Sequence, residues 1–269
     1  LPMGCTWEHV GYHLTWMCAM FGPVESVTAF SKCTIPDKTE QPLNPPDAPD
    51  FSVACLNFRS GVVGRVTCSI GAPYDHRMRI IGNKGMLTAD TYFHYQCPVY
   101  LEHYTKLSIK ARLSITVRTH TFLQRLFGVG GRRLKLVRNL PPGADRIIDT
   151  GGPRWSLKAW INRLQSREVG QQDKCLGIAE LADAIHHGRQ PFPPPDFIYH
   201  ITELTLAIQG AGTKSQTHVL ESSFNPIALP EQTRKHAPNY LEAAKPRAID
   251  RLAEGVLDRL RSFRMSNTS

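Results

Sequence analysis

Glu8, His9 and His13 place acid–base side chains on the first turns of an otherwise apolar segment, "GCTWEHVGYHLTWMCAMFG" (residues 4–22). His9 and His13 are four apart, so a helix stacks them on one face. That spacing suits a pair of metal ligands or a general base with its partner, and packing alone also explains it. For a base, imidazole is apt because it changes charge near neutral pH. For a metal, two histidines are not enough, since a catalytic zinc site takes a third protein ligand. His186, His187 and His200 have no spacing that ties them to this pair, and Glu8 precedes the first histidine instead of following it as in H-E-x-x-H. No metal is therefore expected, and a metal-dependent hydrolase using His9 and His13 is the weakest alternative. Trp7, Trp16, Met17 and Phe21 read as core more readily than as a platform for a sugar ring.

The element that must carry these groups is a helix over residues 6–21, with Thr6 as its cap and Gly22-Pro23 as its stop. "VESVTAF" (24–30) reads as a strand, and "KCTIPDKTEQPLNPPDAP" (32–49), with five prolines, as a loop. Strand-like runs follow at hairpin spacing: 50–58 with 62–70, then 77–82 with 85–90, and the pattern continues through 98–104 and 107–117. Helices are expected at 154–164, 173–188, 196–212 and 248–263, with Gly188 ending the second and Asp196 capping the third. His186 and His187, at the end of the second, suit the helix dipole and read as structural. The order helix, strands, helices gives an α+β fold: an open, mostly antiparallel β-sheet with helices packed on one face. Residues 1–230 are expected to form one domain and 231–269 a helical C-terminal tail.

The bulk composition bounds the function classes. With 269 residues, 41% hydrophobic and 20% charged, the chain can bury a sizeable core. No apolar run is long enough for a membrane span, and no basic-then-apolar leader opens the chain. It enters a helix almost at once, which reads as a cut through a longer protein. Seven cysteines without a CxxC pair point to reduced thiols and a cytoplasmic setting, with Cys55 and Cys68 as small core residues of strands. The net charge is +9, and between Lys106 and Arg138 lie nine cations and no acid. Such a segment is a solvated surface or faces nucleic acid, an anionic membrane or an anionic substrate. Only Phe122 and Phe127 interleave it, too few to stack bases, so no nucleic-acid partner is expected. "GVGG" (128–131) lacks the third glycine of a dinucleotide fingerprint and precedes strand-like "RRLKLV", so it cradles no pyrophosphate.

Taken in order, G-x-H on a helix ending in "FG", a V-x-S-V-x-A strand, a hairpin with an S-G turn, "IIGNKGMLTAD", "PVYLEH", "GIAELADAIHHGRQP" and "ITELTLAIQGAG" resemble one family. It is the C-terminal domain of the glucose–fructose oxidoreductase / inositol dehydrogenase (Gfo/Idh/MocA) family, matched from about residue 4 to about residue 215. The resemblance implies an N-terminal Rossmann domain ahead of this chain that binds NAD or NADP and carries the family's catalytic lysine. It implies a sugar or cyclitol substrate, and a homo-oligomer formed through the sheet face. The family has an aspartate and a histidine four apart on the opening helix, the histidine taking the substrate's hydroxyl proton as hydride leaves the same carbon. His13 falls at the histidine and His9 at the aspartate. Glu8, one residue from His9, can supply a carboxylate, and Tyr12 stands beside His13. The family also brings the loop before the "IIG" strand to the site, here "APYDHR", which offers Tyr74, Asp75 and Arg77 to the substrate. The reading is thus an NAD(P)-dependent oxidoreductase domain acting on CH–OH groups. The alternative is a non-catalytic binding or dimerisation module in which loss of the helix aspartate records loss of catalysis.

Overall fold

The computed structural model describes residues 4–38, 47–71, 76–89, 97–134, 175–228, 231–243 and 248–266, with Glu40, Pro42, Lys245 and Pro246. The chain packs as two units, one of residues 1–73 and 173–228, the other of residues 74–172 and 229–269.

The first unit holds α1 (Cys5–Phe21), β1 (Val24–Lys32), β2 (Phe51–Phe58) and β3 (Val63–Ser69). It also holds two later helices, α5 (Leu176–His186) and α6 (Pro195–Gln209), and a short strand β8 (Thr217–Val219). Its sheet runs β3-β2-β1-β8, antiparallel throughout. Alternation dictates which side chains face the helices: Ser52, Ala54, Leu56 and Phe58 of β2 point inward, as do Val66 and Cys68 of β3. Cys55 belongs to the other phase of β2 and is exposed, so it is not the core residue its strand position led us to expect. Val10, Leu14, Met17 and Cys18 of α1 and Phe197, Leu204 and Ile208 of α6 cover the inner face, closing a single apolar core. Gly64 lies directly under α1, where a Cβ would come within 2.5 Å of the Met17 methyl, so its lack of a side chain sets how closely helix and sheet approach.

The second unit is built on a sheet of order β4-β5-β6-β7. β4 (Met78–Ile81) and β5 (Gly85–Ala89) form the expected hairpin, β6 (Val99–His103) follows, and β7 is the pair Arg132–Arg133. Gly85 meets the backbone of Glu102 so closely that a Cβ would sit 2.3 Å from its carbonyl oxygen. Residues 107–117 are not a strand. They form α2 (Lys106–Leu113) and α3 (Ile115–Thr119), followed by α4 (Thr121–Leu126). The reason is local: Thr105 and Ser108 make a reciprocal capping box at the start of α2. The chain closes with α7 (Glu231–Ala243), which contains Pro238, and α8 (Ala248–Ser266).

The α+β class and the open antiparallel pairing hold, with the strands divided between two four-stranded sheets. Two expected caps are corrected. Gly4, at φ 90, precedes α1, and Thr6 is a buried residue inside it. Pro194 precedes α6, and Asp196 sits in its first turn. The helix expected at 154–164 lies outside the described residues. No helix among the described residues is long and apolar enough to cross a membrane.

Candidate functional site

α1 carries the candidate residues, and both of its ends are fixed. At the start, Gly4 meets the carbonyl of Pro49 so closely that a Cβ would lie 2.4 Å from it. The Cys5 thiol donates to the Asp50 carbonyl oxygen at 3.1 Å and the Thr6 hydroxyl to the Ser52 hydroxyl at 2.7 Å. At the far end the Gly22 N–H closes on the Cys18 carbonyl at 2.9 Å, with Gly22 at φ 86. The first turn of the helix is thus tied to the start of β2, and a glycine closes its last turn just before β1.

Those middle turns hold Glu8, His9, Tyr12 and His13. Glu8, His9 and His13 are half-buried and Tyr12 is 58% exposed. The His9 and Tyr12 rings lie 6.3 Å apart at 55°. His9 Nδ1 is buried and has no hydrogen-bond partner among the described residues. An unpartnered buried ring nitrogen is costly in a finished core but suits a pocket that receives a hydroxyl group. The structure therefore brings four of the expected residues onto one helix. Arg77 is exposed just before β4 in the second unit. Tyr74 and Asp75 lie outside the described residues.

His200 has another task. β1 shifts register between Val24 and Ser26, which frees the Val24 N–H from the ladder. That N–H donates to His200 Nε2 at 3.0 Å, and His200 Nδ1 meets the Ser222 hydroxyl at 2.7 Å. Both ring nitrogens are used, and burial pushes the ring's pKa down, so His200 is a neutral core residue. His187 binds Asp183, one turn back, through Nδ1 at the end of α5, in keeping with a structural role there. Among the described residues no group of three or more His, Cys, Asp and Glu side chains is placed to hold a metal ion.

Sequence reasoning missed a second buried polar cluster. Asp50, fully buried, accepts the N–H groups of Thr34 and Ile35 at 2.8 Å, the Thr34 hydroxyl, and the Lys38 ammonium at 3.0 Å. Lys38 also reaches the Ala48 carbonyl at 2.8 Å and the Cys33 sulfur at 3.2 Å. Burial alone would raise the Asp50 pKa, but these donors together hold it well below the usual carboxylate range. This clamp folds the proline-rich excursion back to the point where α1 and β2 meet. A lone acid before a strand gave no sign of it. Glu203 has a similar post: burial opposes its charge, yet Ser222, the N–H of Glu221 and His218 lower its pKa to about 2.

The "GVGG" turn is occupied from within. The Gly130 N–H donates to the buried Glu102 carboxylate at 2.9 Å, and Gly131 packs on the backbone of Leu101 and Glu102. Glu102 also takes a bidentate hold of Arg112. These amides are not aimed at a phosphate.

Residues 2–88 match the GFO/IDH/MocA C-terminal domain family, as the motif order led us to expect, and that span includes all of α1. Solved structures that align with this chain include the WlbA dehydrogenase from Bordetella pertussis in complex with NADH and UDP-GlcNAcA, at 16% identity and a TM-score of 0.43, covering 81% of this chain and 48% of that one. An aldose–aldose oxidoreductase from Caulobacter crescentus complexed with glycerol is 16% identical with a TM-score of 0.44, covering 78% and 45%. An oxidoreductase from Klebsiella pneumoniae is 11% identical with a TM-score of 0.47, covering 89% and 53%. The chain spans about half the length of these structures. No curated protein matches it.

Proposed function

We propose that this chain is the substrate-binding part of an NAD(P)-dependent oxidoreductase, and that His13 accepts the hydroxyl proton of a sugar or cyclitol-like carbinol. The observation that carries this reading is the half-buried His9–His13 pair on a helix whose first turn is tied to β2, inside the span that matches the family. A carbinol gives up hydride readily only if its O–H proton leaves in concert, so a base must stand at the reacting carbon. His13 takes that proton and returns it in the reverse direction. His9, with its unpartnered Nδ1, binds a neighbouring hydroxyl and orients the ring that carries it. Glu8 and Tyr12 extend the same row of polar groups, and Tyr74, Asp75 and Arg77 are proposed as further substrate contacts. A bound nicotinamide cofactor supplies or takes the hydride. The described residues offer no phosphate cradle for it, so in this reading a domain outside this chain holds it, and the choice between NAD and NADP is made there. The open face of the first sheet, with Cys55, Asn57 and Val63 exposed, suits association with a second copy. Free thiols throughout suit a reducing, cytoplasmic setting.

The test uses the complete gene product that contains this chain. NADH and NADPH are titrated by fluorescence, and polyols and sugars are screened for cofactor reduction. His13→Ala is expected to lower kcat by about 10²–10⁴-fold with cofactor binding unchanged. Cofactor binding without any turnover in the wild type favours the second reading, a non-catalytic binding module. That reading is supported by the imidazole of His9 at the position where the family has a carboxylate. No cofactor binding at all overturns the oxidoreductase reading.

A further inference from the structure

The basic segment takes no part in the chemistry proposed for α1, and its surface in the second unit is of an unusual kind. From Lys106 to Arg133 there is no acid, and the exposed side chains are largely cationic or apolar. Arg112 is engaged by Glu102, and Lys106 by Asp258. Lys110, Arg118, Arg125 and Arg133 have no ion-pair partner among the described residues. Interleaved with them, Ile109, Leu113, Ile115, Phe122 and Leu126 are 50%, 79%, 76%, 74% and 58% exposed. Isolated apolar side chains on a surface need no explanation. Five within residues 109–126, on three successive short helices and among unpaired cations, do need one.

The inward positions of α2 and α3 are already filled: Ser108, Ala111 and Val117 are buried, while α4 buries none of its residues. The exposed residues of α2 and α3 are therefore the outward positions of helices that already face the unit. Thr105 caps the start of α2 and Ser114 the start of α3, whereas no side chain caps α4. Nucleic acid would use the cations but leave the aliphatic side chains in water, with only Phe122 and the His120 imidazole as exposed rings of the described segment. An anionic bilayer uses both classes at once, cations on the headgroups and apolar side chains at the acyl boundary.

We propose that α2, α3 and α4 form a peripheral docking surface for an anionic lipid bilayer, with Lys110, Arg118 and Arg125 on the headgroups and Leu113, Ile115, Phe122 and Leu126 entering the interface. The test is flotation of the full chain with vesicles of phosphatidylcholine alone and of phosphatidylcholine with phosphatidylserine in equal parts. The chain is expected to float with the anionic vesicles and not the neutral ones. Arg118→Gln and Arg125→Gln should each lower partitioning by about 5-fold. Phe122→Ser with Leu126→Ser should also lower it severalfold while leaving the thermal unfolding midpoint unchanged, since both side chains are exposed. Equal flotation, or none, on the two vesicles overturns the proposal. So does an apolar double variant that binds like wild type, with duplex DNA competing the chain off the vesicles, which marks a general polyanion surface.

Discussion

His200 accepts the Val24 N–H through Nε2, so a proton added to the ring must break that hydrogen bond inside the core. Its pKa is pushed below the ordinary value of 6.5 when the chain is folded. As the pH falls past about 6.5, the unfolded chain takes up this proton and the folded one resists it, so stability present above that pH is lost toward the folded pKa. The urea midpoint should therefore drop as the pH is lowered through this range, and His200→Gln, which keeps a polar group but does not titrate, should lose that part of the slope. Asp50 and Glu203 behave in the same sense at lower pH, their contributions present above the usual carboxylate range and lost below it. Asp50→Ala leaves the buried Lys38 ammonium without its countercharge and two N–H groups without their acceptor, and a loss of about 3–5 kcal/mol in denaturant unfolding is expected. At this scale the placement of His9 and His13 on one helix could be read from spacing alone, because helical periodicity needs only the sequence. Asp50 could not, since its worth depends on where five other groups arrive.

Residues 107–117 show where period and capping compete. Leu107, Ile109, Ala111, Leu113, Ile115 and Val117 alternate strictly with polar residues, the pattern of a half-buried strand. The helices form instead because Thr105 and Ser108 satisfy the first orphan N–H groups of α2 and Ser114 those of α3. The alternation then no longer sorts inside from outside: Ala111 and Val117 are buried, while Ile109, Leu113 and Ile115 are exposed. Thr105→Ala should cost about 1 kcal/mol and raise amide exchange in α2 before the rest of the second unit, a difference that hydrogen exchange by mass spectrometry reads directly. The hairpins β2–β3 and β4–β5 were legible because their turns and their alternation agree. α7 falls in the stretch expected to be a helical tail, but its own bounds were not legible, because Pro238 within it reads as a break.

For the whole molecule, the order of elements was legible and their partition was not. Five antiparallel runs in sequence suggest one continuous sheet, yet β3 is the last of them in the first unit and β4 begins the second. The first unit is also discontinuous: α6 and β8 return to complete it, with Val219 opposite Ser26 and Phe197, Leu204 and Ile208 closing the core. A chain ending at Gln172 should accordingly bind a hydrophobic dye and lack a cooperative melt for its first unit, whereas the full chain melts cooperatively. The same return has a consequence in time. A ribosome that has finished β1 at Lys32 must still make the whole stretch to Thr217 before the outer edge of that strand is paired. At ordinary elongation rates this leaves a half-built sheet, apolar on one face and open at one edge, for on the order of 10–40 s. The nascent protein should therefore depend on a chaperone during synthesis far more than its finished fold would suggest.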